Sequence, residues 1–170
     1  MAIVQAVLRA HPTDADGPAA MLNYANKQLC NKHIGGFCTA FLGVYEPASR
    51  RLIYTNAGHP PPIVKHRSGD SVRVLDEALS YPLGIDETEG FTEATVQFEH
   101  GDTMLLYTDG ITEARDAVGT FFGAEPLTGI LRGASGSPAQ LIETLRAKVH
   151  AHQHDQTAAD DQTLVAALIL

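Results

Sequence analysis

The feature that most constrains the fold is a change of hydrophobic period at Gly36. Before it, apolar residues recur at helical spacing over Met1–Ala10 and again from Gly17 to about Asn31, where Pro18 occupies a favoured first-turn position. After it come short β-branched or aromatic segments bounded by turn residues. These segments predict strands at Phe37–Tyr45, Arg51–Asn56, Pro62–His66, Val72–Leu75, Phe91–Phe98 and Thr103–Thr108. The series predicts antiparallel strands rather than βαβ units.

Two more helices and a last strand are predicted after Thr108. Helices are expected at Glu125–Arg132 and Pro138–His150, and Ser137 with Gln140 forms a capping-box pattern at the start of the second. The continuous apolar run Thr163–Leu170 predicts a fully buried central strand. Helices, strands, helices and a strand, in that order, predict one α+β layered domain, for which 170 residues suffice.

Charge and composition exclude several classes of function. The formal net charge of −8, with basic residues scattered along the chain, argues against a nucleic-acid partner. No run approaches the roughly 20 apolar residues of a membrane span, and the N-terminus lacks a basic signal-peptide segment. We therefore expect a cytoplasmic protein without a membrane partner. Cys30 and Cys38 lack zinc or disulfide spacing and are interpreted as reduced packing residues.

Two acidic signatures are the main candidates for chemistry. Thr108-Asp109-Gly110 ends one predicted strand, and Asp160-Asp161 precedes the last one. Each signature also has an interpretation that involves no chemistry. The first can be read as an ordinary Asp-Gly turn and the second as acidic residues of a solvated loop. If the two strands are neighbours, however, the carboxylates meet, and two such charges at ~4 Å repel by about 4 kcal/mol near a surface unless a cation intervenes. Oxygen ligands of this kind suit Mg²⁺ or Mn²⁺.

Histidines offer weaker candidates. His59 follows Gly58 in Asn-Ala-Gly-His-Pro, where a strand runs into a rigid turn, and a turn histidine is favoured over a catalytic one. His150, His152 and His154 fall at a predicted helix end, where a favourable interaction with the helix dipole is preferred to metal binding.

Several motifs, taken in order, resemble the SpoIIE-like (RsbU-type) branch of the PPM metal-dependent protein serine/threonine phosphatases. The match covers essentially the whole chain, and its motifs are Phe37–Phe41, Asn56–Pro60, Pro82–Ile85, Gly101–Asp102, Leu106–Ala114, Phe122–Gly123 and Asp160–Thr163. The resemblance implies an αββα sandwich of two antiparallel sheets flanked by helices. It also implies two Mn²⁺ or Mg²⁺ ions whose bridging water attacks phosphoserine or phosphothreonine without a phosphoenzyme.

The resemblance also implies roles for individual residues. Asp109 and Asp160 match metal ligands of the family, and Asp161 is expected to support them rather than bind the metal. Gly110, Gly58 and His59 are expected near the site. His59 stands where eukaryotic relatives carry an aspartate associated with an additional metal, so that extra site is not expected.

The chain departs from the family pattern at its N-terminus. Relatives carry Gly-Asp-Phe-Tyr-Asp-like and Asp-Val-Ser-Gly-His-Gly-like segments there, which supply a bridging aspartate, another acidic ligand and a suspected general acid; this sequence has none of them. The chain thus resembles the C-terminal two-thirds of the domain, an N-terminally incomplete sandwich, and we expect little activity from it alone. The favoured explanation is truncation of a longer phosphatase; the alternatives are a non-catalytic interaction module that binds a signalling partner, or a hydrolase that borrows ligands from another subunit.

The partners implied are a phosphorylated regulatory protein, by resemblance of the anti-anti-sigma type, and an upstream sensory or receiver domain. The sequence names neither of them. Apolar edges left by the absent strands are expected to promote association of the chain.

Overall fold

A computed structural model of the chain describes residues 17–31, 36–69, 71–154 and 159–170. The helix predicted over residues 1–10 lies outside these ranges. The chain divides into two compact units, residues 1–61 with 76–98 and residues 62–75 with 99–170. The helices are α1 (Gly17–Asn31), α2 (Asp109–Thr112), α3 (Glu125–Gly133) and α4 (Pro138–Gln153); the strands are β1 (Ala40–Glu46), β2 (Arg51–Ala57), β3 (Ile63–Lys65), β4 (Val72–Val74), β5 (Leu79–Ser80), β6 (Ala94–Gln97), β7 (Thr103–Tyr107) and β8 (Leu164–Leu168).

The first unit combines α1 with a four-stranded sheet. Strand β2 pairs antiparallel with β1 and β6, and parallel with β5 over two residue pairs. Helix α1 turns Leu22 and Ala25 inward, as its apolar spacing predicts, and Leu22 joins a buried cluster with Ala57, Leu83 and Phe91. The buried Asn26 amide donates to the Asp86 carbonyl and accepts from the Gly84 backbone N–H, which fixes the loop against the helix.

The second unit combines an antiparallel sheet, in the order β4-β3-β7-β8, with α2, α3 and α4. Its core is a cluster of apolar side chains from the sheet and the helices, among them Ile63, Leu105, Tyr107, Ile111, Leu127, Leu131, Leu141, Leu145 and Val149. The predicted capping box is present, because the Ser137 hydroxyl accepts from the Gln140 N–H and the Gln140 side chain accepts from the Ser137 N–H.

A buried carboxylate ties three parts of the second unit together. Asp102 has no exposed surface. Its oxygens accept from the backbone N–H groups of Arg67 and Glu99, both at 3.0 Å, and lie 3.1 Å from His66 Nδ1. Its backbone carbonyl accepts from the Ile169 N–H at 2.9 Å. These hydrogen bonds compensate the burial of the Asp102 carboxylate. They also connect the start of β7 to the residues that follow β3 and to the residue that follows β8.

Several predictions about individual elements were wrong. The last strand is not a fully buried central strand: β8 is the edge of its sheet in the described part of the chain, and Val165 and Leu168 are half-exposed. The Asp-Gly pair after β7 begins the short helix α2 rather than a turn. The strands are also shorter than predicted at Phe37–Tyr45 and Phe91–Phe98, and the two-residue β5, parallel to β2, was missed.

The predicted α+β class, with two sheets and accompanying helices, is confirmed. Within the described ranges, none of the helices has the length and apolar character that a membrane crossing requires.

Candidate metal centre

The two acidic signatures meet because β7 and β8 are neighbours. The strands pair antiparallel from Thr103↔Leu168 to Tyr107↔Leu164, so the end of β7 lies beside the start of β8. The pairing continues beyond the strands, since the Thr108 N–H donates to the Thr163 carbonyl at 3.2 Å. The predicted side-by-side placement of the two strands is therefore confirmed.

The Thr108 hydroxyl connects the two loops directly. It donates to the Asp161 carbonyl at 3.1 Å and accepts from the Thr163 N–H at 3.0 Å. The Gln162 side-chain amide adds a third link by donating to the Gly110 carbonyl at 3.0 Å. These bonds hold the chain segment that carries Asp109 against the segment that carries Asp160.

Gly110 permits this close approach. A Cβ atom at this position would lie 2.4 Å from the Asp161 carbonyl oxygen and 3.4 Å from the Asp160 carbonyl carbon. Real Cβ atoms essentially never approach other atoms more closely than 3.0 Å. The glycine of the Asp-Gly pair is thus explained by packing between the two acidic segments.

Both candidate ligands are oriented by their own chain. Asp109 Oδ1 accepts from the Gly110 N–H at 2.9 Å, and Asp160 Oδ1 accepts from the Asp161 N–H at 2.7 Å. Within the described ranges, the second oxygen of each carboxylate has no hydrogen-bond partner, and neither carboxylate has a salt bridge. Each therefore keeps oxygen lone pairs available for a cation.

Solvent exposure lowers the electrostatic cost of the aspartates at this site. Asp109, Asp160 and Asp161 are all exposed to solvent, so water offsets much of the penalty that burial would impose on unpaired carboxylates. The cost of these charges alone therefore does not require a cation at this place. What remains is the donor chemistry: exposed, oriented carboxylate oxygens fit a hard divalent cation such as Mg²⁺ or Mn²⁺.

These residues fit only part of a coordination shell. Across the described residues, no group of three or more His, Cys, Asp or Glu side chains is arranged to hold a metal ion. Two aspartates leave most positions of a six-coordinate ion to water or to other ligands.

Gly58 and His59 lie in the first unit, within a turn that the preceding asparagine holds. The Asn56 amide donates to the His59 carbonyl at 2.9 Å and accepts from the His59 N–H at 2.8 Å. Gly58 adopts a φ of 68°, and a Cβ there would meet Pro82 at 2.6 Å. His59 Nδ1 lies 3.3 Å from the Thr39 hydroxyl. These contacts agree with the interpretation of His59 as a turn residue.

The other histidines and the cysteines belong to the surrounding structure. His150 and His152 lie in the last turn of α4, and His152 Nε2 is 3.0 Å from the Thr120 carbonyl while its ring packs on Phe122. Both cysteines are unpaired thiols, as predicted.

Sequence reasoning gave no role to Thr108 or Gln162, although both hold the acidic segments together. The available signal was their position: a hydroxyl and an amide directly beside the aspartates, at the ends of two apolar strands. Such side chains are well placed to bond to the backbone of a neighbouring loop.

Comparison with solved structures defines the class of fold. The SiaA-PP2C domain of Pseudomonas aeruginosa superposes with a TM-score of 0.79 at 20% identity, over 98% of this chain and 66% of that one. The Mn-presoaked phosphatase domain of SpoIIE from Bacillus subtilis gives 0.67 at 18% identity, over 99% of this chain and 70% of that one. The fold is that of PP2C-type phosphatase domains.

Sequence comparison identifies the family. The family model described as Stage II sporulation protein E (SpoIIE) matches residues 1–169. The chain belongs to this family, and the resemblance seen in its motifs is confirmed.

Curated relatives include two bacterial proteins. Protein IcfG of Synechocystis sp. is 27% identical over 143 residues, which are 83% of this chain and 22% of IcfG. Phosphoserine phosphatase RsbP of Bacillus subtilis is 35% identical over 77 residues, which are 45% of this chain and 19% of RsbP. The chain thus spans about a fifth of the length of these two relatives.

Proposed function

We propose that this chain is part of a divalent-metal-dependent phosphatase that removes phosphate from phosphoserine or phosphothreonine on a regulatory protein. Membership of the SpoIIE family and the likeness to RsbP, a phosphoserine phosphatase by name, support the reaction class. The substrate type remains the one that the resemblance implies, a small phosphoprotein of the anti-anti-sigma kind. An upstream sensory or receiver domain in a longer parent protein is part of the same proposal.

The observation that carries this proposal is the hydrogen bonding and close packing between the two acidic segments. The Thr108 hydroxyl, the Gln162 amide and the absent side chain of Gly110 bring the segments of Asp109 and Asp160 together. If the two segments were only a turn and a solvated loop with no common role, these two side-chain hydrogen bonds and the close contact at the glycine would not be needed at one place.

In this proposal, Asp109 and Asp160 would hold the metal through the carboxylate oxygens that protein donors leave available. The backbone N–H groups of Gly110 and Asp161 orient the two carboxylates from behind. Asp161 would support the site through its backbone carbonyl, which accepts from Thr108. When bound, Mn²⁺ or Mg²⁺ supplies Lewis acidity toward the phosphoryl group and acidifies water.

The proposal predicts weak metal binding and low turnover for the chain alone, because two aspartates supply few of the ligands that such ions take. Mn²⁺ binding is measured by isothermal titration calorimetry, and Mn²⁺-dependent release of phosphate from a phosphoserine peptide is followed in parallel. Asp109→Asn and Asp160→Asn should each reduce both signals, since each replaces an anionic oxygen by a neutral amide.

Asp76→Asn provides a matched control, because it removes one exposed negative charge from the first unit without touching the acidic segments. The control should retain the Mn²⁺ affinity and turnover of the unmodified chain. Equal Mn²⁺ binding by the control and both site variants would refute the assignment of the ligands. High turnover of the unmodified chain, lost in the site variants, would show that the ligand set is more complete than proposed.

A non-catalytic binding module is the second candidate, and the small ligand set within the described residues favours it. It predicts that the chain binds a phosphoprotein without releasing phosphate, and that Asp109→Asn and Asp160→Asn leave this binding unchanged. Pull-down of a serine-phosphorylated regulatory protein, with phosphate release measured on the same samples, separates the two candidates.

A further inference from the structure

We propose that Gln153, the last residue of α4, is a positioning residue of the metal centre and acts on it through Gln162. This inference rests on the proposed function, because it requires that Asp109 and Asp160 bind the metal. The hydrogen bonds that link Gln153 to the acidic segments all join described residues of the second unit.

Gln153 occupies a position in α4 where the helix pattern predicts an apolar residue. The core-facing stripe of this helix contains Leu141, Leu145 and Val149, which are four residues apart. Gln153 is the next residue at this spacing, and it is buried with only 8% of its surface exposed. Burial of an amide is costly unless hydrogen bonds replace those to water. A glutamine in this stripe therefore needs a polar partner, which an apolar residue would not need.

The partner is Gln162, the residue that follows the acidic pair. Gln162 Nε2 donates to Gln153 Oε1 at 3.4 Å and to the Gly110 carbonyl at 3.0 Å. A side-chain amide nitrogen carries two N–H groups, so these two acceptors use both of them. The torsion that turns a glutamine amide is broad. The acceptor on Gln153 therefore selects the orientation in which the other N–H of Gln162 points at Gly110.

Gly110 is the residue at which this link reaches the acidic segments. Its carbonyl accepts from Gln162, and its own N–H donates to Asp109 Oδ1 at 2.9 Å. Gln162 itself belongs to the segment that carries Asp160. One side-chain amide thus joins the two acidic segments, and Gln153 orients that amide from the buried face of α4.

The lengths of the two hydrogen bonds determine the expected order of effects. The bond from Gln162 to Gly110 has an ordinary length of 3.0 Å, whereas the bond to Gln153, at 3.4 Å, is longer than most. Gln162 is also exposed, so water can replace a lost partner of its amide. Replacing Gln153 should therefore weaken Mn²⁺ binding less than replacing Gln162, and either change should weaken it less than replacing a metal ligand.

Isothermal titration calorimetry with Mn²⁺ tests this role in the unmodified chain, in Gln153→Leu, in Gln162→Leu and in the double variant. Gln153→Leu should raise the Kd for Mn²⁺ about 2- to 10-fold, the range that the loss of one hydrogen bond produces. In the Gln162→Leu chain, the same substitution should change the Kd by less than about 2-fold, because no amide is left for Gln153 to orient. An equal effect of Gln153→Leu in both chains would overturn the role, since Gln153 would then not act through Gln162.

Urea unfolding of the same variants separates positioning from a general loss of stability. Leucine at position 153 continues the apolar stripe of α4, so the unfolding midpoint of Gln153→Leu should be unchanged or higher while the affinity for Mn²⁺ falls. A lower midpoint together with weaker Mn²⁺ binding would indicate a loosened fold and would contradict the positioning role.

Gln97→Leu is the matched control. The Gln97 amide also donates to backbone carbonyls, those of Ser49 and Arg50, but it lies in the first unit. This variant should keep the Mn²⁺ affinity of the unmodified chain, and a Kd raised as much as in Gln153→Leu would refute the role of Gln153.

Asp109→Asn, titrated in parallel, distinguishes failure of this inference from failure of the proposed function. If Asp109→Asn leaves the Kd unchanged, the proposed function fails and the role of Gln153 fails with it. If Asp109→Asn raises the Kd while Gln153→Leu does not, only the role of Gln153 is overturned.

Discussion

Replacing Gly110 by alanine should destabilise the chain by about 1–3 kcal/mol, the usual cost of overpacking a tight contact. The new Cβ would stand 2.4 Å from the Asp161 carbonyl oxygen, whereas real contacts begin near 3.0 Å. The two segments must therefore separate by about 3.0 − 2.4 = 0.6 Å. The obstacle is backbone, which cannot rotate away as a flexible side chain would.

An opposing effect is smaller. Alanine is favoured over glycine in a helix by roughly 0.5–1 kcal/mol, and Gly110 lies in α2, which has only four residues. Steric overlap should therefore outweigh helix propensity. Separation of the segments would also move Asp109 away from Asp160 and weaken Mn²⁺ binding, if these residues are the ligands proposed above.

Urea unfolding followed by circular dichroism measures the first effect, and calorimetric Mn²⁺ titration measures the second. Gly129→Ala is the control, because Gly129 lies inside α3 with open space around its Cβ position. This variant should be more stable by about 0.5–1 kcal/mol. If Gly110→Ala were as stable as Gly129→Ala, the close packing of the acidic segments would be refuted.

Three further substitutions test other parts of the structure by urea unfolding. Asp102→Ala should cost about 3 kcal/mol or more, because it leaves the backbone N–H groups of Arg67 and Glu99 without their acceptor; a cost below that of a surface substitution would contradict the anchoring role. Ser137→Ala should cost about 1 kcal/mol through loss of the capping box, and an unchanged midpoint would be evidence against it. Burial raises the pKa of the Tyr107 phenol above its usual value. The native state then holds this proton more tightly, so the free energy of unfolding has its full value below pH ~10 and falls at higher pH. Tyr107→Phe should lessen this fall, and identical pH profiles for the two chains would exclude the effect.

The sequence predicted those elements whose own residues determine them. Pro18 and the apolar stripe with Leu22 fix α1, and Ser137 with Gln140 fixes the start of α4. Helix α1 lies where it was predicted, and α4 begins where it was predicted but continues beyond His150 to Gln153. The β strands were identified but their ends were not, because strand ends depend on pairing with distant segments. The short elements α2 and β5 contain too few residues to show any period.

The error at β8 has a physical cause. An apolar run such as Leu164–Leu168 reports the hydrophobicity of a strand but not the number of its neighbours, which depends on the rest of the sheet. For the candidate site, the sequence did predict that the two acidic segments lie side by side, because neighbouring antiparallel strands necessarily bring their adjacent ends together. The exposure of Asp109 and the bridging role of Thr108 depend on side-chain placement, which spacing along the sequence does not contain.

In the turn around His59, the groups that hold the loop are different from the side chain that the loop exposes. Its backbone is held by the Asn56 side chain and by the positive φ of Gly58. Position 59 can therefore be exchanged while both of these supports remain. A carboxylate, an amide or a hydroxyl at this position would leave both backbone supports of the loop in place, so the chemistry of the side chain can change while the loop conformation is kept.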